Sequence, residues 1–164
     1  MTGAHEVDPG LDGLLTWNFV RVARFVGNRM ALRLAEHGLN PIHFGVLSFL
    51  AVVPEMTTAE VARAVLIRPQ SMSPLLDTLE NRGLIRRTGA RGRGRPNPVQ
   101  ITDAGRQALE DVRDVVEATN DLSDAGLTAQ ESQQLNQLLL KIVRVASATP
   151  QSDAGLYEPP RDDL

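Results

Sequence analysis

Residues 57–101 read TTAEVARAVLIRPQSMSPLLDTLENRGLIRRTGARGRGRPNPVQI, and this stretch decides the fold. Thr57-Thr58-Ala59-Glu60 has the form of a capping box, in which Thr57 caps and Glu60 reaches back. It predicts a short helix with Val61, Ala62 and Val65 inward. A tight turn at Leu66-Ile67 follows. Arg68-Pro69 opens a second helix, because proline has no N–H to lose at a first helical position. Its apolar residues Met72, Leu75, Leu76 and Leu79 recur at three- and four-residue steps, and Gly83 stops it. Two short helices joined by a tight turn form a helix-turn-helix. Leu84 to Arg87 reads as a strand, 88–98 as a Gly- and Pro-rich loop, and Val99-Gln100-Ile101 as the returning strand. A hairpin directly after a helix-turn-helix is a wing.

Outward from this core the chain is helical. Upstream, Asp8-Pro9 opens a long amphipathic helix over 9–37, with Leu11, Leu14, Leu15, Phe19, Val22, Val26, Met30 and Leu34 on its apolar stripe. Gly38 ends it, and Asn40-Pro41 opens a helix that runs to Pro54. Downstream, Thr102 caps a helix over about 103–122. Thr128-Ala129-Gln130-Glu131 is a second capping box, opening a last helix with Leu135, Leu138, Leu139, Ile142 and Val143. The fold class is mainly α with a small β-hairpin. A winged helix-turn-helix over 38–102 is flanked by long dimerisation helices over 9–37 and 103–147. Residues 1–8 read as a flexible N-terminus and 148–164 as a disordered tail with little to bury. The terminal helices carry more apolar surface than so small a lobe can cover, and a second copy is the simplest cover. The homodimer interface is expected to hold Leu11, Leu14, Leu15, Leu135, Leu138 and Ile142. The alternative is a monomeric helical bundle.

Charge distribution points to nucleic acid. The 164-residue chain has a net charge of −3, yet residues 82–106 hold seven arginines and one acid, Asp103. That local balance of +6 leaves −9 for the rest. Binding responds to the field at the contact, so a cationic patch on an acidic body is a usable DNA footprint. A solvated arginine loop is the bland alternative. Cysteine is absent, which excludes disulfides, thiolate metal sites and cysteine nucleophiles. No apolar run approaches the roughly 20 residues of a bilayer span, and Met1 to Asp8 lacks a basic signal-peptide start. The expectation is a cytoplasmic protein with no membrane partner. His5, His37 and His43 are not at metal-ligand spacings, and no Gly-rich loop links a strand to a helix. No metal, cofactor or enzymatic activity is expected.

The ordered set of motifs resembles the MarR family of bacterial transcription regulators. The resemblance runs through Leu39-Asn40-Pro41-Ile42-His43-Phe44-Gly45-Val46-Leu47 and Thr58-Ala59-Glu60-Val61-Ala62. It continues from Ser73 to Ile85 and ends at Val99-Gln100-Ile101-Thr102-Asp103-Ala104-Gly105. It implies a triangular homodimer made by the terminal helices, on a pseudo-palindromic operator. Each subunit would place a recognition helix in a major groove and a wing tip in an adjacent minor groove. It also implies a repressor released by a small, aromatic and anionic effector. Two residues depart from the family pattern. Arg93 stands where the wing's bracing acid is usual, two residues before Arg95. Pro74 stands where a basic residue is common, so it either bends the recognition helix or opens a re-started helix capped by Ser73.

Within this frame Arg68, Gln70, Ser71, Ser73 and Thr78 are the candidate DNA contacts of the recognition helix, because Gln pairs with adenine and Arg with guanine. Capping is the competing role of Ser71 and Ser73. On the wing the candidates are Arg91, Arg93 and Arg95. Arg93-Gly94-Arg95-Pro96 is similar to the core of an AT-hook: glycine admits the backbone, arginine meets the strong negative potential of a narrow minor groove, and proline keeps the chain extended. A generic phosphate-binding loop is the alternative. Trp17, Arg21, His43 and Phe44 are the candidate effector residues, an aromatic wall with a cation. Phe44 reads equally as core and His43 as an ordinary helix residue. A winged-helix architectural or protein-interaction module without ligand sensing remains the second reading of the whole chain.

Overall fold

The computed structural model describes residues 9–89 and 97–148. The expected flexible N-terminus over 1–8, the wing tip from 90 to 96 and the expected tail from 149 lie outside the described residues.

Helix ends are written in local chemistry. Helix α1 spans Pro9–Asp12 and α2 Leu15–Ala35. The single helix expected over 9–37 is therefore broken at Gly13-Leu14, where Leu14 is extended. Gly38 closes α2 in the left-handed region, at φ +67°. Its N–H donates to Ala35 and that of Leu39 to Leu34, the paired bonds of a Schellman cap. Asn40 accepts from the His43 N–H and opens α3, Pro41–Val52. Thr57 and Glu60 form the full capping box of α4, Thr58–Ala64. Helix α5, Pro69–Asn81, follows, and Gly83 caps it with the same paired bonds. It runs unbroken through Pro74, so no helix re-starts at Ser73.

The turn between α4 and α5 uses the same paired bonds again, yet its left-handed residue is Leu66, at φ +57°. Among the described residues it is the one non-glycine with positive φ. A Cβ in that conformation costs about 1–2 kcal/mol.

Strands β1 (Ile85–Arg87) and β2 (Val99–Ile101) pair antiparallel, with Ile85 opposite Ile101. Met56 bridges the other edge of β2 through Val99, exchanging bonds of 3.1 and 2.7 Å. The wing's return strand is thus held on both sides, directly before the α4 cap. Thr102 then caps α6, Asp103–Asp111, while its hydroxyl donates to the Gly83 carbonyl at 2.6 Å. Gly105 faces the Leu84 carbonyl so closely that a Cβ would sit 2.1 Å from it. The helix expected over 103–122 is split: α7, Arg113–Thr119, begins after Val112, which is fully buried. A 3-10 turn, Ser123–Ala125, leads to α8, Ala129–Ala148, opened by the Thr128/Glu131 capping box.

The core lies wholly in the middle of the chain. Among the described residues every buried apolar one falls between Leu34 and Val112, with Leu47, Leu50, Met72, Leu76 and Leu79 at the centre. Helix α8 buries nothing, and α2 buries only Leu34. The arms are tied to each other mainly through α2 and α7. Arg29 of α2 donates to Asp124 at 2.7 Å and to the Asp121 carbonyl. No helix among the described residues is long and apolar enough to cross a membrane.

Candidate nucleic-acid interface

Helix α5 presents two faces because its sequence repeats apolar residues at helical spacing. Met72, Leu76 and Leu79 are fully buried, with Leu75 packed beside them. The other face is polar. Gln70, Ser73 and Thr78 are exposed, and Arg68 and Ser71 are half-buried. Arg68 occupies the N-cap without a side-chain cap bond, so neither serine caps the helix. The Thr78 hydroxyl donates to the Pro74 carbonyl at 3.1 Å, which leaves its lone pairs to accept. Pro74 itself has no N–H to donate to the Gln70 carbonyl.

Four of the seven patch arginines are engaged within the protein. Arg86 forks onto Gln100 Oε1 at 3.1 and 2.8 Å, and Gln100 in turn donates to Glu55. Arg87 pairs with Asp77 at 2.7 Å and with Glu80 of α5, and its own N–H also donates to Glu80. Burial works against the Arg87 charge, but the hydrogen bonds to Asp77 and Glu80 outweigh it and hold its pKa above the ordinary arginine value. Arg82 donates to the Gly38 carbonyl at 2.6 Å. Arg106 reaches the Ala51 carbonyl at 3.4 Å. The patch read as one cationic footprint is thus partly a set of internal ties. Their partners lie 7 to 55 residues away, beyond the reach of local pattern. The other three arginines, Arg91, Arg93 and Arg95, lie outside the described residues.

The four effector candidates do not converge within one chain. Trp17 and Arg21 sit near the start of α2, where Arg21 pairs with Asp12 at 3.4 Å. His43 and Phe44 open α3, and Phe44 packs on the core. About 27 Å of helix axis separates Trp17 from the end of α2 at Ala35. An open polar notch lies instead beneath the wing, lined by Asp77, Glu80, Asn81, Arg87 and Asn97. Among the described residues no cluster of three or more His, Asp or Glu could hold a metal ion.

The dimerisation candidates are apolar and, apart from Leu135, exposed. Leu14, Leu15, Leu138 and Ile142 are at least half exposed, and Leu11 is 39 % exposed. Leu135 is half-buried. Phe25 and Val22 extend the bare surface along α2.

A helix-turn-helix with its second helix half bare, followed by a hairpin pinned to that helix, defines the winged-helix class of DNA-binding proteins. The sequence model of the MarR family matches residues 37–96, from the end of α2 through the helix-turn-helix and β1 and stopping short of β2. The HTH-type transcriptional repressor Rv2887 of Mycobacterium tuberculosis is 29 % identical over 131 residues, covering 80 % of this chain and 94 % of its own. Its solved structure in complex with DNA superposes with a TM-score of 0.64 at 28 % identity, over 80 % of this chain and 98 % of that one. Its structure with salicylic acid gives 0.63 at 29 % identity, over 80 % and 97 %. The transcriptional repressor CouR, bound to p-coumaroyl-CoA, gives 0.73 at 28 % identity, over 85 % and 99 %. Over the DNA-binding lobe the chain matches the MarR family model, and along most of its length it is similar to MarR-family transcriptional regulators.

Proposed function

We propose that this regulator is a homodimeric, sequence-specific DNA-binding repressor that a small aromatic anion releases from its operator. The observation that carries the reading is the two-sidedness of α5. One face is locked into the core by Met72, Leu76 and Leu79, and the other offers Gln70, Ser73 and Thr78 to solvent beside the wing. Arg68 and Ser71 flank that surface. These five would read a major groove, and Arg91, Arg93 and Arg95 would enter an adjacent minor groove.

Residues 38–102 are the DNA-binding lobe in this reading. Residues 9–37 and 103–147 make the dimer through Leu11, Leu14, Leu15, Leu135, Leu138 and Ile142. An apolar surface of this extent, on helices with almost no buried residues, favours a second copy. The DNA complex of Rv2887 supports the same reading.

The effector class follows from two relatives, Rv2887 with salicylic acid and CouR with p-coumaroyl-CoA. Both ligands join an aromatic ring to negative charge. Trp17 and Arg21 offer ring and cation at one end of α2, His43 and Phe44 at the other. Because one chain holds these pairs apart, a site using all four takes one pair from each protomer.

The test is in-vitro selection from a randomised duplex library with the pure protein. The reading expects an inverted repeat, and release of that duplex by salicylate. A library returning no consensus overturns it.

A further inference from the structure

We infer that Arg82 is a positioning residue that fixes the angle between the recognition helix and the dimer arm, and so sets the half-site spacing the protein accepts. This rests on the proposed dimeric DNA binding.

Two helix ends meet at Arg82. It is the C-cap residue of α5, the last before Gly83 turns the chain into the wing. Its side chain reaches the first residue of the DNA-binding lobe, where the arm helix ends, and donates from Nη1 to the carbonyl of Gly38 at 2.6 Å. Gly38 is the left-handed residue that closes α2, the long helix of the arm. The guanidinium is seated closely: a Cβ on Gly38 would lie 3.1 Å from Nη2. A charged donor on a helix-terminal carbonyl also has the favourable sign for the C-terminal end of a helix dipole. Among the described hydrogen bonds this is the one side-chain tie between α5 and the arm helix α2 or its cap, bridging 44 residues of sequence.

The mechanical consequence is specific. In a dimer, the arms set where the two lobes stand, and the junction of lobe and arm sets how each recognition helix is aimed. Successive major grooves present half-sites about 34–36 Å apart, or 10–10.5 bp. One added or removed base pair shifts a half-site by about 3.4 Å and rotates it by about 35°. A stiff junction rejects that change and a loose one accommodates it. Arg82 therefore acts on spacing selectivity without touching DNA.

The probe is the inverted-repeat duplex that the wild-type protein selects from a randomised library, with versions carrying one base pair more or fewer at the centre. Arg82→Met keeps the apolar stem and removes the donor. Its preference for the parent duplex over the altered spacings should fall about 2- to 30-fold, the range in which residues outside a binding site shift coupling. Arg82→Lys, which still donates one bond, should recover most of the preference. Gly38→Ala disturbs the same contact from the arm side and should act in the same direction. The salt dependence of binding should not change in Arg82→Met, because no phosphate contact is lost. Wild-type selectivity retained in a folded Arg82→Met overturns the inference, and so does a salt slope smaller by about one, which marks a phosphate contact. If the wild type selects no twofold-symmetric duplex, the dimeric reading itself has failed, a result separable from either.

Discussion

Arg87 and Asp77 join the wing to the recognition helix at 2.7 Å, with the Arg87 side chain only 12 % exposed. Glu80 holds the same guanidinium from one turn further along α5. The strand that launches the wing is thereby fixed to the helix that would read bases. An arginine in the basic segment of a DNA-binding protein is easily taken for a phosphate contact, and this geometry assigns it a structural task. Arg87→Ala should lower unfolding stability by about 1–3 kcal/mol, the cost of leaving charged hydrogen-bond partners unmatched, and leave the salt slope of DNA binding unchanged. Urea denaturation and binding at several salt concentrations check both. Unchanged stability with a slope smaller by about one would mean that Arg87 leaves its acids for DNA.

The wing tip carries the opposite expectation. Arg95→Ala should cost roughly 1–3 kcal/mol of binding, as for a specific contact. The loss should be greater for operators with A·T pairs under the wing than for G·C replacements, since the narrow groove strengthens the attraction. Titrations against two duplexes differing only there decide it. Equal losses reduce the wing to an electrostatic clamp.

The turn of the helix-turn-helix stores strain that can be released. Leu66 occupies the left-handed position that Gly38, Gly83 and Gly126 fill in equivalent caps. Leu66→Gly relieves about 1–2 kcal/mol of backbone cost, against the lost packing of a half-buried side chain and the roughly 0.5–1 kcal/mol entropy of glycine. Stability should stay within about 1 kcal/mol of wild type, where a buried leucine truncation costs about 2–5. Gly105→Ala should do the reverse. The added Cβ meets the Leu84 carbonyl backbone, and overpacking of that kind costs about 1–3 kcal/mol or more. Thermal or urea unfolding of the two variants orders them.

Acid should weaken the molecule through its caps. Backbone and side-chain hydrogen bonds from Thr57 hold Glu60 below the ordinary glutamate pKa, and those from Thr128 do the same for Glu131. A depressed folded pKa means stability that is present above the ordinary glutamate range and lost as pH falls through the lowered value. Arg87, whose pKa is raised, contributes fully below the ordinary arginine range and so adds no pH dependence near neutrality. The stability gap between wild type and Glu60→Gln should therefore shrink from about pH 6 to about pH 3. A gap that stays constant excludes the carboxylate as its source.

Local chemistry made much of this legible. Asn40, Thr57, Thr102 and Thr128 announce their helices because a cap lies within three residues of the N–H it satisfies. Gly13 marks the break between α1 and α2 in the sequence, although the apolar stripe runs through it. The break at Val112 has no such mark, since neither glycine nor proline stands there and the residue is held by burial in the core. The pairing of Met56 with β2 is equally silent, because a one-residue bridge has no period to read. The tasks of Arg82, Arg86 and Arg87 depend on partners brought near only by the tertiary fold.

Sedimentation and footprinting of one complex, the protein on its selected duplex, decide whether a dimer reads a twofold site. The expected result is two chains per duplex and two protected major-groove faces about 10–10.5 bp apart, related by a twofold axis. Leu138→Asp or Ile142→Asp should abolish both the dimer and the paired protection, as truncation of an interface hot spot costs about 2 kcal/mol or more. A single chain protecting one asymmetric half-site, or a dimer that survives both substitutions, would contradict it.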